Sequence, residues 1–142
     1  MWWPRSTVGN DPPRVAYLGV HERSAEWPIR VTSRDVNDAL VLRVVGRIGL
    51  DTAAELHEAI AASLDHAVSG PIIIDLGGVT FLGSIGLAVF ADLATEAARR
   101  GRSLRIVVET NQLAKVPIEL TGLDTLLALY PSLRAALEDD SD

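Results

Sequence analysis

Ser84 lies between glycines in Gly83-Ser84-Ile85-Gly86, directly after the apolar piece Val79-Thr80-Phe81-Leu82. A serine in such a turn invites a nucleophile reading. The hydrolase elbow needs Gly-x-Ser-x-Gly, however, and Leu82 stands where the first glycine belongs. A triad in hydrolase order also needs a histidine after the serine, and the last histidine is His66. The phosphate loop Gly-x4-Gly-Lys-Ser/Thr is absent, since the only lysine is Lys115, and Gly-x-Gly-x-x-Gly is absent too. Asp75 follows the apolar run Ile72-Ile73-Ile74 and reads as a turn acceptor that ends a strand rather than as a catalytic carboxylate. There is no cysteine, which removes disulfides and thiolate metal sites together. His57 and His66 fall on the solvent side of a helix, with no carboxylate or third histidine spaced to complete a ligand set. These residues predict no catalytic group, no metal and no cofactor.

Two plain roles remain for Ser84. It can cap a helix by accepting from backbone N–H groups of the first turn, worth ~1 kcal/mol. It can also be a modification site, since phosphate adds roughly −1.5 to −2 charges and a helix N-terminus accommodates an anion. Spacing leaves both open. The polar stripe of the following helix is Asp92, Glu96, Arg99 and Arg100, with Glu96 and Arg100 spaced for an ion pair. Followed back by steps of three and four, that stripe runs through Val89 and Ile85. The outward face should therefore turn apolar beside the serine, as a switchable docking surface requires. The alternative is that a loop or the N-terminal extension covers this patch.

The elements that position the serine follow from pattern. Ile72-Ile73-Ile74 suits a strand buried on both faces. A helix runs from the Gly83–Gly86 turn to Arg99-Arg100, with Gly101 as its C-cap. Before it, Ile29 to Ser33 and Leu40 to Val45 read as an antiparallel hairpin around Val36-Asn37-Asp38, the second strand ending at Gly46. Thr52 and Glu55 have capping-box spacing, and Leu56, Ile60 and Leu64 share one face of a helix from Ala53 to about Ala67. After the central helix come a strand over Ser103–Val108 and a short helix capped by Thr110 or Asn111. Its apolar face is Leu113, Val116 and Leu120, and Pro117 lies inside it. A last strand over Leu126–Tyr130 and a helix from Pro131-Ser132 to Leu137 complete the domain. Alternation of this kind predicts an α/β fold: a mixed, mostly parallel sheet with an opening hairpin and about four helices.

The chain has 142 residues, 48% of them hydrophobic, enough for one cored domain. The domain reads as residues 29–142, ending in an acidic tail. Residues 1–28 read as a poorly ordered extension broken by Pro4, Pro12, Pro13 and Pro28. All three tryptophans, Trp2, Trp3 and Trp27, lie in that extension, either padding the domain or anchoring a partner. The formal net charge is −6 with no basic cluster beyond Arg99-Arg100-Gly101-Arg102, which argues against nucleic acid. No apolar run approaches the ~20 residues that cross a bilayer, and Met1 to Arg5 show no signal core. The expected location is the cytoplasm, with no membrane contact.

Val79 to Leu87, Val-Thr-Phe-Leu-Gly-Ser-Ile-Gly-Leu, resembles the signature of the STAS domain as found in bacterial anti-sigma factor antagonists. Its usual form is a strand, then aromatic–apolar–Asp–Ser–Ser/Thr–Gly–Leu, then a helix. Gly46-Arg47-Ile48 with Thr52-Ala53 resembles the family's turn before its first helix. Glu119 to Asp124 resembles its helix-ending motif, and Tyr130-Pro131-Ser132-Leu133 its last strand-to-helix corner. The likeness runs from about Ile29 to Leu137 and implies the STAS (SpoIIAA-like) fold. It implies a regulator that binds an anti-sigma factor of the serine kinase type, an ATPase, and so releases a sigma factor. The kinase phosphorylates the serine corresponding to Ser84 and breaks the complex, and a phosphatase restores it. Three positions depart from the pattern: Gly83 and Gly49 stand where the family carries Asp, and Ile85 where it carries Ser or Thr. The site thus exchanges acidic and hydroxyl groups for apolar surface. The resulting expectation is docking through Gly46, Arg47, Gly49, Asp51, Thr52, Gly83, Ser84, Ile85, Gly86 and Val89, with weakened phospho-control. A sensor module of the same fold, holding a nucleotide or an apolar small molecule, is the alternative.

Overall fold

Ile72, Ile73 and Ile74 are all fully buried, which needs protein on both faces of the strand that carries them. In the computed structural model, which describes residues 28–65 and 70–139, that strand is the middle of a five-stranded sheet. The elements run β1 (Ile29–Val36), β2 (Ala39–Ile48), α1 (Ala53–Leu64), β3 (Ile72–Leu82), α2 (Ser84–Arg99), β4 (Leu104–Val107), α3 (Gln112–Leu120), a 3-10 turn (Leu123–Thr125), β5 (Ala128–Tyr130) and α4 (Leu133–Glu138). The strands lie in sequence order across the sheet. β1 is antiparallel to β2, and every later pair is parallel. This is the expected mixed, mostly parallel sheet with an opening hairpin. The hairpin turns through Asn37, whose φ of 57° is one that asparagine tolerates. The expected readings of residues 1–27, and of His66, lie outside the described residues.

Successive strand residues face opposite sides, and each side has its own cover. Leu40, Leu42, Val44, Ile72, Ile74 and Ile106 pack with Leu56 and Ile60 of α1, Phe90 and Leu93 of α2 and Ile118 of α3. On the other side Val41, Ile73 and Val107 meet Ala136 of α4. α4 starts as expected, with the Ser132 hydroxyl accepting from the Ala135 N–H at 3.0 Å. α2 ends at Gly101, φ +70°. The Gly101 N–H donates to the Ala98 carbonyl and the Arg102 N–H to that of Ala97, a Schellman closure.

Three expectations need correction. Asp75 does not end its strand, and β3 continues to Leu82. The Asp75 carboxylate still accepts from the Gly77 N–H at 2.9 Å, and Arg43 lies 3.4 Å away on β2, so the side chain steadies the strand from within. β2 likewise does not stop at Gly46 but passes through it to Ile48, with register shifts against β3 between Arg43 and Val45 and between Gly46 and Arg47. Finally, α3 turns Ala114 and Ile118 inward and leaves Leu113, Val116 and Leu120 exposed. In a helix of nine residues both stripes have helical spacing, and the larger side chains misled the reading.

β4 pairs with β3 only from Ile72 to Asp75, so the upper part of β3 lacks a strand on that side. Asn111 fills the place. Its Nδ2 donates to the carbonyls of Leu76 (2.9 Å) and Val79 (2.8 Å), while its side-chain oxygen caps α3 by accepting from the Leu113 N–H at 3.1 Å. Asn111→Ala removes the cap and leaves two carbonyls unpaired, so a loss of about 2 kcal/mol is expected from urea unfolding. A loss under about 0.5 kcal/mol, the range of an ordinary surface substitution, would show that Asn111 does not tie α3 to β3.

Candidate functional site

The upper ends of β2 and β3 converge on Ser84. The Gly83 N–H donates to the Ile48 carbonyl at 2.9 Å, which fastens the end of β3 to the end of β2. The chain then turns into α2 with Gly83 as N-cap and Ser84 as first helical residue. Ser84 is therefore not the cap. The N-cap is a glycine without a side-chain acceptor, and the Gly83 carbonyl takes the N–H groups of Gly86 (3.0 Å) and Leu87 (3.1 Å). The serine hydroxyl is exposed at the positive end of a helix of 16 residues, with no acidic residue in its first turn. Of the two roles open in the sequence, the cap is excluded.

Gly86 sets how closely α2 approaches the sheet. A Cβ there would lie 2.4 Å from Ile48 Cγ2 and 2.8 Å from Leu82 Cδ1. Both neighbours are buried, so only hydrogen fits.

The turn from Gly46 to Thr52 is held by Thr52, though not by the expected capping box. The Thr52 hydroxyl donates to the Arg47 carbonyl at 2.8 Å and accepts from the Gly49 N–H at 3.0 Å. It is fully buried and makes no cap bond to α1. An exposed ion pair, Arg47 to Asp51 at 2.7 Å, spans the same turn. Such pairs contribute little, about 0–1 kcal/mol. With the turn fixed, Leu50 points outward at 85% exposure.

Phe81 was not anticipated as a site residue. Its ring, half exposed, lies beside Gly49 and Gly83: a Cβ on either would stand 3.4 Å and 3.1 Å, respectively, from Phe81 Cε2. The aromatic edge thus occupies the neighbourhood of Gly49 and Gly83, the two positions where the resembled signature carries aspartate. Leu50, Phe81 and Ile85 are all large, apolar and exposed. The signal available in the sequence was Phe81 two residues before Gly83; only tertiary structure brings Gly49 beside it.

The expected docking residues divide into two groups. Arg47, Asp51, Ser84 and Ile85 are exposed, and Gly46 and Gly83 are half-buried. Gly49, Thr52, Gly86 and Val89 are buried and shape the surface rather than form it. The correction at Val89 follows from helix phase. The outward stripe from Ile85 passes through Ala88 and Asp92, a step of three and then four, and leaves Val89 against the core.

Farther along α2, Asp92 lies 3.0 Å from His57 Nε2 of α1, so this surface histidine does have a carboxylate partner, from another element. Glu96 accepts from Arg100 at 2.9 Å as its spacing indicated. The Arg100 hydrogen bond, aided by Arg99, holds the Glu96 carboxyl below the usual carboxylate range.

The family described as "Mlab, STAS domain" matches residues 31–130. The anti-sigma-F factor antagonist RsfB of Mycobacterium tuberculosis is 39% identical over 115 residues, covering 80% of this chain and 91% of RsfB. A crystal structure of an anti-sigma factor antagonist from Mycobacterium paratuberculosis superposes with a TM-score of 0.71 at 34% identity, covering 80% of this chain and 95% of that one. The unphosphorylated form of the anti-sigma factor antagonist SpoIIAA shares the fold at 15% identity, with a TM-score of 0.61 over 76% of this chain and 93% of that one.

Proposed function

The chain belongs to the STAS domain family, and from that premise we propose that it is an anti-sigma factor antagonist. It binds an anti-sigma factor and thereby releases a sigma factor for transcription. The observation that carries this reading is the exposed cluster of Leu50, Phe81, Ser84 and Ile85 at one end of the sheet. An exposed apolar group with a hydroxyl beside it suits burial against another protein. It offers no nucleophile–base pair. The reading is of a binding protein that works in the cytoplasm beside its partner.

Its partner is an anti-sigma factor of the serine kinase type, with a phosphatase acting in the opposite direction. Ser84 is the residue that would take the phosphate. An added phosphate would face the positive end of α2 and leave the fold undisturbed. It would have to be desolvated on docking, which breaks the complex. Gly83 and Gly49 deprive the hydroxyl of the flanking carboxylates that the family carries, and phospho-control is correspondingly weakened.

The test is a pull-down of the full chain with a kinase-type anti-sigma factor, with and without ATP. A complex is expected in the absence of ATP, and its absence under both conditions would remove the proposal. Ser84→Glu should lower affinity at least 10-fold, about 1.4 kcal/mol, with an unchanged melting temperature. Unaltered binding by this variant would show that the partner docks elsewhere. Stoichiometric phosphate at Ser84 after brief incubation with the kinase and ATP would overturn the weakened control alone.

A further inference from the structure

We propose that the corner between the end of α2 and the starts of β4 and β5 is a binding site for a small aromatic carboxylate, with Arg102 and Arg105 holding the anion. The inference does not rest on the docking reading above.

The shortness of β5 leaves this corner open. β5 pairs with β4 only from Arg105 to Val107, so at Ser103 and Leu104 the outer border carries no strand among the described residues. Where larger side chains would close the gap, the sequence places alanine: Ala94 and Ala98, one turn apart on α2, and Ala128 on β5. All three line a cavity of about 220 Å³. Its floor includes the buried Ala94 and Leu104, and its rim the exposed Ala98, Leu126 and Ala128. A ligand enters from solvent without any rearrangement of the fold.

The charge of the lining is one-sided: Arg102 and Arg105 belong to it and no carboxylate does. Arg105 is only 4% exposed. Its Nη1 donates to the carbonyls of Ala136 (2.5 Å) and Asp139 (2.9 Å), which fixes the side chain. Its guanidinium carbon lies 5.8 Å from the centre of the Tyr130 ring, a third wall of the cavity. Arg102 Nη1 donates to the Leu64 carbonyl at 3.1 Å. Carbonyl oxygens orient a guanidinium without cancelling its charge. An arriving anion therefore meets two cations already ordered by the fold. Tyr130 brings no opposing charge, because burial and its hydrogen bond with Asp139 raise the phenol above its ordinary pKa.

Size sets the class of ligand. Benzene occupies an apolar cavity of about 150 Å³, and a water takes about 30 Å³ in the liquid. The corner thus has room for one ring and one carboxylate. Drug-sized ligands fill about 300–1,000 Å³, more than this space offers. The alanines and the Tyr130 ring suit the apolar body, and the arginines suit the two oxygens. Ala98 lies about 21 Å along α2 from Ser84, so ligand and docked partner do not compete for the same surface.

The test is a titration of the isotope-labelled full chain with sodium benzoate, read from amide chemical shifts. Saturable shifts are expected at Ala98, from Arg102 to Arg105 and from Ala128 to Tyr130, with a Kd of about 1 mM. Benzamide keeps the ring without the charge, and acetate keeps the charge without the ring. Each should bind about 10-fold more weakly than benzoate. Ala98→Phe, which fills the cavity from its rim, and Arg102→Met should each weaken benzoate binding by about 10-fold, with thermal unfolding showing that both variants fold. Arg105 stays intact in these variants because it holds the end of α4. Absence of saturation by about 20 mM benzoate would overturn the proposal. So would equal binding of benzamide or acetate, shifts centred on Phe81 and Ile85 instead, or full affinity in the folded Ala98→Phe variant. No partner protein enters these measurements, so they succeed or fail separately from the docking reading.

Discussion

Alanine at Gly46 is expected to lower the unfolding free energy by about 3 kcal/mol, from backbone strain of roughly 1–3 kcal/mol and a lost hydrogen bond of about 1 kcal/mol. At φ +117° a side chain is strained whatever surrounds it. Here the new Cβ would also stand 2.3 Å from a backbone oxygen, that of Pro28, and no rotamer change relieves a backbone contact. β1 must draw away from β2, and the bond from the Arg47 N–H to Pro28 goes with it. Small domains hold only about 5–15 kcal/mol in total, so the melting temperature should fall by on the order of 10 °C. Gly101→Ala supplies the control. Gly101 also has a positive φ, +70°, but nothing lies within 4 Å of its added Cβ, so about 1 kcal/mol is expected. Equal losses at the two positions would mean that the Pro28 contact does not constrain the entrance of the domain.

The second large effect separates docking from folding. Ile85→Asp should reduce affinity for the anti-sigma factor at least 30-fold, the scale of a ~2 kcal/mol interface hot spot. Stability should be unchanged or slightly raised, because Ile85 is 39% exposed and a carboxylate in the first turn of α2 meets the positive end of the helix. Val89→Ala should do the reverse. Val89 is 8% exposed and belongs to the main core. Its truncation is expected to cost about 2 kcal/mol of stability while leaving the affinity of the folded protein intact. Titration calorimetry and urea unfolding on the same two variants read both quantities. Loss of affinity in Val89→Ala without loss of stability would return Val89 to the contact surface.

These two residues show where the sequence was sufficient and where it was not. The order of strands and helices was legible because period and punctuation agree: isoleucines at 72–74, glycine after α2, serine before α4. Helix phase was not. Within one amphipathic helix a step of three or four from Ile85 reaches Ala88 or Val89, and hydrophobicity favours the wrong one. The same ambiguity chose Leu113, Val116 and Leu120 over Ala114 and Ile118 in α3, where small residues face inward. At Thr52 the spacing to Glu55 was right for a cap, yet the hydroxyl closes the preceding turn instead, because the Arg47 carbonyl and the Gly49 N–H converge on it. The prominence of Phe81 was hidden for another reason. Gly83 is two residues away, but the other neighbour of Phe81, Gly49, is remote in sequence and meets it only when the ends of β2 and β3 are joined.

The sheet's two borders are unequal, and aggregation should follow the inequality. β5 has only three residues, too short to template an added strand. β1 has eight, but one of its edges is taken by β2, so it can accept one further strand and no more. Two copies joined through β1 would present only the three-residue β5 at each end. A regulator that must hold an apolar face ready for a partner is thereby kept from polymerising through its long margin.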